Sequence, residues 1–373
     1  MRRRLAPSFL PTTAVLELSY ACSHSCIYCS CPWERAGGGF DIRKEMPTGR
    51  WMAVLRELVD NGVSSLAFTG GEALLREDLP ELLAFAASLE AESMDTRGEE
   101  LVVRRAPPSL YLLTNGRAVD MDLLLLLARL GVKLSVSLPG LDTYREHTGR
   151  QGAETVLRVF RMAAEAGVTT TANITVTALN LGELGRVMSA ALLAGADQVL
   201  LNRFLPGGRG MENRRRLQLG PEGIRKMLAV AGQVLQRAGR SGALGTELPR
   251  CIADPADHRH LRVSTRCSAA RKFFVVGPSG WIRVCNHSER RLLPVEDWNR
   301  LLDHPYWVRF AASDYIPQEC AGCGMRGLCD GGCREAACVT GGRPDAPDPL
   351  LAEVAVEPPI QQTGSIDEEG GGR

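Results

Sequence analysis

Short β-rich runs alternate with helical stretches along the first two thirds of the chain, and this alternation restricts the fold more than any other feature. The predicted strands are rich in β-branched and apolar residues and span 15–20, 64–69, 109–114, 133–138, 168–177 and 198–204. The predicted helices follow them, each with one apolar face, at 48–61, 79–90, 120–130, 153–166, 181–194 and 221–237. Six consecutive β–α units predict an α/β fold, either an open six-strand barrel or a doubly wound sheet. Ligands should lie at the carboxyl ends of the strands.

Four further segments complete the predicted organisation. Residues 91–108 are polar and are predicted to form a surface loop, whereas the glycine-rich residues 237–249 are predicted to link two domains. Two β-rich runs flank Gly-Pro-Ser-Gly at 277–280 and predict a β-hairpin. From residue 357 onward Pro, Gln, Gly and acidic residues dominate, which predicts a disordered tail.

Charge and hydropathy exclude two classes of partner. Lys and Arg total 44 against 43 Asp and Glu, so the chain has no large basic surface for nucleic acid. No apolar run reaches the ~18 residues of a membrane span, and the arginines at the start are not followed by the apolar segment of a signal peptide. We therefore expect a cytoplasmic protein without a nucleic-acid or membrane partner.

Twelve cysteines are too many for core packing alone, and a reducing compartment does not favour disulfides, so metal or cluster ligation is the leading interpretation. The first group lies at Cys22, Cys26, Cys29 and Cys31. The chain then carries none until Cys251, and eight lie between Cys251 and Cys338. This distribution indicates two cysteine-bearing regions that flank a cysteine-free scaffold.

The first group has the spacing CxxxCxxC and follows the first predicted strand. Three thiolates, from Cys22, Cys26 and Cys29, can bind a [4Fe–4S] cluster and leave one iron open for a small molecule. The spacing alone arises by chance in about 1 in 80 chains of this composition, so it is suggestive only. Cys31 is predicted to be a bystander.

Other motifs end the next three predicted strands. Gly70 and Gly71 allow a ligand to approach the backbone closely, and the adjacent carboxylate of Glu72 can bind an ammonium group. Asn115 and Ser137 end the third and fourth strands. Because the carboxyl ends of parallel strands share one edge, these residues should lie near the cysteines.

In these motifs the chain resembles the radical S-adenosylmethionine (SAM) superfamily, which carries CxxxCxxC after the first strand of a partial (β/α)6 TIM-type barrel. The resemblance implies a [4Fe–4S] cluster whose open iron is chelated by the amino and carboxylate groups of SAM. Reductive cleavage of SAM then yields a 5′-deoxyadenosyl radical. The residues whose positions match SAM-contacting motifs are Tyr28, Gly70, Gly71, Glu72, Asn115 and Ser137. Ala73 replaces the usual proline after Glu72, and Pro139 replaces an aspartate after Ser137.

The second cysteine region has the spacing CxxCx5CxxxC, which arises by chance in about 1 in 2500 chains. With the two cysteines that bracket the predicted hairpin, it resembles the SPASM domain, which holds two auxiliary [4Fe–4S] clusters. The resemblance implies that the first auxiliary cluster is bound by Cys267, Cys285 and Cys333. It implies that the second is bound by Cys320, Cys323 and Cys329.

The ligand set is incomplete by comparison with that family. The seventh cysteine, which follows an Asp-Pro pair, is absent, because Asp348-Pro349 is followed by two leucines. Cys338, a non-cysteine ligand or an open iron are the alternatives. Cys251 is predicted either to complete the first auxiliary cluster or to be an unligated thiol. Zinc remains an alternative for these C-terminal cysteines, because CxxC pairs also suit tetrahedral zinc.

These expectations divide the chain into a radical SAM core at 1–240, a small cysteine-rich SPASM-like domain with a β-hairpin at 241–350, and a disordered tail at 351–373. The resemblance implies an enzyme that oxidatively modifies a peptide or small protein, as in the maturation of ribosomally synthesised peptides. Its expected partners are that substrate, a separate leader-binding protein, because only about fourteen residues precede the first strand, and an electron donor such as flavodoxin or ferredoxin.

Two alternatives stay open at this point. The substrate could be haem or another small-molecule cofactor, or the chain could bind metal or iron–sulfur clusters without radical chemistry. The sequence names no catalytic residue beyond the cofactor ligands, and it leaves open the substrate residue, the bond formed and the oligomeric state.

Overall fold

A computed structural model describes residues 9–35, 40–97 and 100–354, with side chains outside 93–104 and 352–354. Residues 355–373 are outside the described residues, so the disorder predicted for this part of the tail is not addressed by the structure. Helix bounds show that ordered structure extends a few residues past the predicted boundary at 351. Within the described residues, no helix combines the length and the apolar composition needed to cross a membrane.

The strands of the described residues are β1 (Thr13–Glu17), β2 (Ser65–Thr69), β3 (Ala91–Arg97), β4 (Glu100–Ala106), β5 (Ser109–Thr114), β6 (Lys133–Ser137), β7 (Thr170–Val176), β8 (Gln198–Arg203), β9 (Gly242–Leu244), β10 (Leu261–Arg262), β11 (Phe273–Val276) and β12 (Ile282–Arg283). The α-helices are α1 (Thr48–Asp60), α2 (Leu79–Ala87), α3 (Met121–Leu130), α4 (Tyr144–Thr148), α5 (Ala153–Glu165), α6 (Leu184–Leu193), α7 (Arg214–Leu217), α8 (Pro221–Ala238), α9 (Pro305–Ala311), α10 (Arg334–Gly341) and α11 (Pro349–Val354).

Ten of these strands form one sheet in the order β10-β9-β8-β7-β6-β5-β2-β1-β11-β12. All neighbours are parallel except β11 and β12, which form the predicted antiparallel hairpin. The six strands expected from the alternation are confirmed as β1, β2, β5, β6, β7 and β8. The carboxyl ends of the parallel strands share one edge, and that edge is where the cysteine loop after β1 begins.

The core lies between the sheet and its helices. In α1 the buried side chains recur at helical spacing, at Trp51, Val54, Leu55 and Leu58, and face the sheet. Strand side chains alternate in the complementary way, because successive residues of a strand point to opposite faces. Each fully buried leucine of this interface contributes about 1.5–3 kcal/mol relative to an exposed one.

Local signals explain where the helices begin and end. The Asp120 side chain accepts a hydrogen bond from the Leu123 amide at 2.8 Å and caps α3. Gly131 ends the same helix with φ of 67°, a left-handed conformation that favours glycine. The predicted helix at 120–130 is therefore confirmed almost to the residue.

The surface loop predicted at 91–108 is wrong. Strands β3 and β4 pair there as an antiparallel hairpin with Ala91 opposite Ala106, and they form a two-stranded sheet separate from the main one. Glu92 and Arg105 form an ion pair across the hairpin at 2.5 Å. A hairpin outside the main sheet can retain a polar sequence, and that polarity is why the segment resembles a loop.

Part of the segment predicted as a linker at 237–249 forms a strand. Helix α8 ends at Ala238, and β9 begins at Gly242 and pairs with β8, so the main sheet continues across residue 240. Strand β11 then pairs with β1. The domain boundary near residue 240 stays a prediction. The chain before it and the chain after it both contribute strands to the main sheet.

A buried ion pair also joins the two sides. Arg283 on β12 donates to the Glu17 carboxylate at the end of β1, and both side chains are almost fully buried. The same guanidinium donates to the carbonyl oxygens of Asn286 at 3.0 Å and Ser288 at 2.8 Å. The Asn286 side-chain amide donates to the other Glu17 oxygen at 3.4 Å, and Arg283 is the cation paired with this buried carboxylate.

Replacement of Arg283 by methionine is expected to lower the free energy of unfolding by about 3–5 kcal/mol, because the Glu17 carboxylate would be left buried without its cation. Burial raises the pKa of Glu17. Without Arg283 the carboxyl can therefore take up a proton as the pH falls, and the loss should be smaller at pH 5 than at pH 8. Urea unfolding followed by circular dichroism measures both values.

The matched control is Arg50→Met, which breaks the Arg50–Glu296 pair at 2.7 Å, where both side chains are largely exposed. This pair should contribute at most about 1 kcal/mol at either pH. Equal losses in the two variants would contradict the role assigned to the buried pair.

Candidate functional site

The loop that carries the first cysteines runs along the carboxyl edge of the sheet and is fixed there by backbone hydrogen bonds. Its anchors are the end of β2, the end of α4 and the segment after β8. The bonds run from the Glu72 amide to the Ala21 carbonyl at 2.8 Å, from Ile27 to His147 at 2.9 Å, and from Gly210 to Cys29 at 2.9 Å. The loop conformation is therefore set by three separate strand connections and not by its own residues alone.

The structure brings the three predicted cluster ligands together. Burial raises the pKa of Cys26 to about 12, and the negative charges of Cys29 and Cys22 add to that rise. Burial also raises the pKa of Cys22, to which the charges of Glu72 and Cys29 contribute. Three thiols whose charges oppose one another need a cationic partner to be thiolates together, which is what a metal cluster supplies.

Two neighbouring side chains donate hydrogen bonds to these sulfurs. The Cys31 thiol donates to Cys29 and lowers its pKa. The Tyr28 hydroxyl donates to Cys26, and its ring lies 5.8 Å from the ring of His147. Cys31 was expected to be a bystander, but its sulfur lies next to a predicted ligand.

Among the described residues, no three His, Cys, Asp or Glu side chains converge on a point that one metal ion could occupy. A [4Fe–4S] cube does not require such convergence, because each thiolate binds a different iron atom. The Cys22 sulfur accepts from the His24 amide at 3.4 Å. The donor set after β1, three thiols that each accept a hydrogen bond, fits a cube with one iron left open.

The glycines after β2 pack against the start of the cysteine loop. A Cβ atom on Gly70 would lie 2.6 Å from the Ser19 carbonyl oxygen, and one on Gly71 would lie 2.3 Å from that of Ala21. Gly70 also has φ of 139°. Only glycine permits this approach of two backbones. From the sequence, we predicted that the two glycines let a ligand approach the backbone closely. The structure adds a second reason for glycine at both positions, which is the contact with the backbone of Ser19 and Ala21.

Glu72 braces the same edge. It is 2% exposed, and its two carboxylate oxygens accept hydrogen bonds from the Thr114 hydroxyl at 2.8 Å, the Asn115 amide at 2.8 Å and the Leu74 amide at 3.1 Å. Burial raises its pKa. The contact of Glu72 with the SAM amino group stays a prediction, and these bonds already fix the carboxylate between the ends of β2 and β5.

The remaining predicted contacts lie at the same edge. The Asn115 side-chain amide donates to the Ser23 hydroxyl at 3.1 Å and so joins the end of β5 to the cysteine loop. Ser137 ends β6 and is half-buried. Ser135 is on the same face of β6, and its buried hydroxyl has no hydrogen-bond partner among the described residues. The predicted SAM contacts are thus gathered at one end of the sheet.

The segment after β8 also contacts the cysteine loop. Arg209 pairs with Glu34 and donates to the Cys26 carbonyl oxygen at 3.2 Å. A Cβ on Gly208, where φ is 47°, would lie 2.3 Å from the Cys31 carbonyl oxygen. The sequence signal for this segment was the glycine-rich run at 207–210, which could equally have been a turn. A cleft of about 470 Å³ opens beside Arg209 and Tyr20.

The cysteines of the first C-terminal set share one buried environment. Cys267, Cys285 and Cys333 are all buried, and burial raises the pKa of each, that of Cys333 to about 12. The charges of Cys333 and Cys285 add to the rise at Cys267. The backbone amides of Cys267 and Cys333 donate to Asp330 at 2.8 Å and to Asp348 at 2.7 Å.

The second C-terminal set lies on the loop before α10. The Met325 amide donates to the Cys323 sulfur at 3.5 Å, and the Gly331 amide donates to the Cys329 sulfur at 3.3 Å. The Cys323 amide donates to the Cys320 carbonyl oxygen at 3.1 Å. Amide donors aimed at sulfur are the environment that a thiolate ligand requires.

The two cysteines whose role the sequence left open lie in different surroundings. Cys251 was predicted either to complete the first auxiliary cluster or to be an unligated thiol. It lies beside the second set, because the amide of the preceding Arg250 donates to the Cys329 sulfur at 3.4 Å. Cys338 lies within α10, where the Tyr306 hydroxyl donates to its sulfur at 3.4 Å and to Glu335 at 2.8 Å. The positions of both cysteines depend on contacts between segments that are distant in sequence, and the spacing of the cysteines does not predict such contacts.

Comparison with known proteins identifies the family of the domain that carries the cysteine loop. The sequence model of the Radical SAM superfamily matches residues 16–189. The chain is 26% identical over 354 residues to the PqqA peptide cyclase of Granulibacter bethesdensis, covering 92% of this chain and 87% of that protein.

Two solved structures share the fold. Streptococcus suis SuiB bound to the precursor peptide SuiA superposes with a TM-score of 0.69 at 16% identity, covering 91% of this chain and 75% of SuiB. The enzyme anSMEcpe with bound AdoMet and the Cp18Cys peptide gives 0.65 at 18% identity, covering 87% and 89%. A domain of the matched superfamily uses a [4Fe–4S] cluster and SAM. Residues 16–189, which contain the three-cysteine loop and the strands that fix it, are a radical SAM domain.

Proposed function

We propose that this chain is a radical SAM enzyme that cleaves SAM reductively and oxidatively modifies a peptide or small protein. The observation that carries the proposal is the gathering of Cys22, Cys26 and Cys29 against the Gly70–Glu72 turn, at the carboxyl edge of a parallel sheet. When bound, the cluster and SAM supply the electron and the 5′-deoxyadenosyl radical that abstracts hydrogen from substrate.

The residues of this chain hold the thiolates and shape the site. Tyr28 and Cys31 donate hydrogen bonds to Cys26 and Cys29, which stabilises the charged form of those sulfurs. Glu72 holds the Asn115 amide, and Asn115 in turn holds Ser23 in the loop. These contacts fix the ligands before the cofactor binds.

Support for a peptide or protein substrate comes from the similar proteins. The curated relative is named a PqqA peptide cyclase, and both structural neighbours were solved with a peptide bound. The two C-terminal cysteine sets are proposed to hold auxiliary [4Fe–4S] clusters of a SPASM-like domain over residues 241–350. Those clusters would accept the second electron of a two-electron oxidation of the substrate.

The rest of the proposal concerns location and partners. We propose that the enzyme acts in the cytoplasm, with flavodoxin or ferredoxin as its electron donor and a separate protein that binds the leader of the substrate. The balanced charge of the chain suits small partners and no extended nucleic acid.

Cleavage of SAM is the first test. The anaerobically reconstituted full chain, given SAM and dithionite, is expected to form 5′-deoxyadenosine. Cys26→Ala should abolish the product, a loss of at least about 100-fold, because two thiolates cannot retain the cube. Product is measured by liquid chromatography and mass spectrometry.

Cys338→Ala serves as the control and should retain wild-type product formation, because that thiol lies on α10 and contacts Tyr306 on α9. Wild-type protein that binds iron but never cleaves SAM would overturn the enzyme proposal and support an iron–sulfur binding protein instead.

The substrate class is tested with a candidate precursor peptide, chosen from short reading frames beside the gene. A peptide that loses two hydrogen atoms per modification supports the proposal. Turnover of haem or another small-molecule cofactor, with every such peptide unmodified, would contradict it.

The brace formed by Glu72 gives a further prediction. Glu72→Gln is expected to lower the free energy of unfolding by about 1–3 kcal/mol. The Glu72 carboxylate accepts hydrogen bonds from the Thr114 hydroxyl and the Asn115 amide, and the NH2 group of glutamine would face one of these donors without an acceptor. Thermal and urea unfolding of the unreconstituted protein measure this without reference to SAM.

Glu77→Gln removes the same charge five residues later at an exposed position and should change stability by less than about 0.5 kcal/mol. If Glu72→Gln is as stable as this control and only SAM binding is weakened, Glu72 acts on the ligand and not as a brace.

A further inference from the structure

We infer that Cys251 is the fourth thiol of the second C-terminal set, so that Cys251, Cys320, Cys323 and Cys329 together bind one auxiliary [4Fe–4S] cluster. The inference rests on the proposed function, which places auxiliary clusters in this region. It replaces the sequence prediction that Cys251 completes the first set, and it supplies the ligand that the absent seventh cysteine would have provided.

The first observation is the backbone contact between the two segments. The Arg250 amide donates to the Cys329 sulfur at 3.4 Å, and Cys251 is the next residue in the chain. The Arg250 side chain is fixed by a bidentate pair with Asp254 at 2.8 and 2.9 Å. The turn that carries Cys251 is thus held against the sulfur of a predicted ligand.

A second pair of bonds holds the same two segments farther along. The Thr265 hydroxyl donates to the Leu328 carbonyl oxygen at 2.7 Å, and the Asp330 amide donates to the Thr265 carbonyl oxygen at 2.9 Å. Cys329 lies between those two positions. The segment after β9 therefore packs along the second cysteine loop and meets it at more than one point.

The second cysteine loop gathers its own thiols around Gly331. The Gly331 amide donates to the Cys329 sulfur at 3.3 Å, and a Cβ on Gly331 would lie 3.3 Å from the Cys320 sulfur. Gly331 also has φ of 74°, which favours glycine. Two thiols therefore flank one glycine, and a side chain at that position would press on the space between them.

The sulfurs of the second set lie close enough to Cys251 for their charges to act on it. The charges of Cys329 and Cys323 act on Cys251, and those of Cys329, Cys251 and Cys323 act on Cys320. Four thiols in one place form a donor set that an iron–sulfur cluster can use.

The competing ligands are engaged elsewhere. One oxygen of Asp348 accepts from Arg203 at 2.5 Å and from the Cys333 amide at 2.7 Å, and the other accepts from the Leu350 amide at 2.9 Å. Leu350, near the place of the absent cysteine, is 1% exposed. Cys338, on α10, is paired with Tyr306 on α9. Cys251 is the thiol that the fold delivers to the second set.

The assignment has a consequence for the roles of the two sets. Four cysteines leave the second cluster without an open iron, and the exposure of Cys251 and Cys323 places it near the surface. Such a cluster suits electron exchange with a partner protein. The buried first set keeps three cysteines, so an open position for another ligand would be there.

Iron and sulfide analysis with Mössbauer and electron paramagnetic resonance spectroscopy of the reconstituted full chain tests the assignment. Wild-type protein with three cubes should hold about twelve irons. Cys251→Ala should lose about four irons if the second cluster fails to assemble, or about one if it persists as [3Fe–4S]. Cys338→Ala should match wild type. Cys251→Ala protein with the wild-type iron content and spectra would overturn the inference.

A double-mutant comparison assigns the cluster. In a Cys320→Ala/Cys323→Ala background, which already lacks the second cluster, adding Cys251→Ala should change neither iron content nor spectra. A further loss of iron in that background would place Cys251 with the first set and overturn the inference. The substituted loop is largely exposed, so circular dichroism should confirm an intact fold.

Failure of the proposed function would be visible separately. Wild-type protein with about twelve irons that forms no 5′-deoxyadenosine would leave the ligand assignment standing while the enzyme proposal fails. An iron content of about four in the wild-type protein would mean that neither auxiliary cluster is present, and this would overturn the inference. SAM cleavage could still be measured in that protein.

Discussion

The close approach of two backbones at the carboxyl edge of the sheet is the constraint on which the site depends. Gly70 and Gly71 lie against the carbonyl oxygens of Ser19 and Ala21, and no side chain larger than hydrogen fits there. This contact fixes the direction in which the chain leaves β1 and therefore where the three cysteines point. Glu72 then carries the constraint to the end of β5 through the amide of Asn115. The site is built from strand ends, and its loop has little freedom of its own.

The C-terminal cysteines share the same framework. Strand β11 extends the sheet beside β1, and the buried pair of Arg283 with Glu17 fixes β12 to the same place. At the other side of the sheet, Arg203 at the end of β8 pairs with Asp348, which holds the amide of Cys333. The proposed radical site and the proposed auxiliary clusters are therefore attached to one continuous sheet.

The sequence predicted what depends on local pattern. Alternating β and α runs located the six strands, and cysteine spacing defined the two cysteine-bearing regions. It failed where the outcome depends on contacts between distant segments. No sequence pattern near residue 242 predicts that β9 continues the sheet. Residues 91–106 have the polar composition of a loop, although they form a hairpin outside the main sheet. Cys251 is assigned only once the bond between Arg250 and Cys329 is known.

The central claim is that SAM binds the open iron of a cluster held by Cys22, Cys26 and Cys29. Electron–nuclear double resonance of the reduced full chain tests it most directly, with SAM isotopically labelled at the amino nitrogen and the carboxylate oxygen. The account predicts hyperfine coupling from both labels to the cluster spin, lost in Cys26→Ala and retained in Cys338→Ala. A reduced cluster that shows no coupling to either label, although SAM is present in excess, would contradict the central claim.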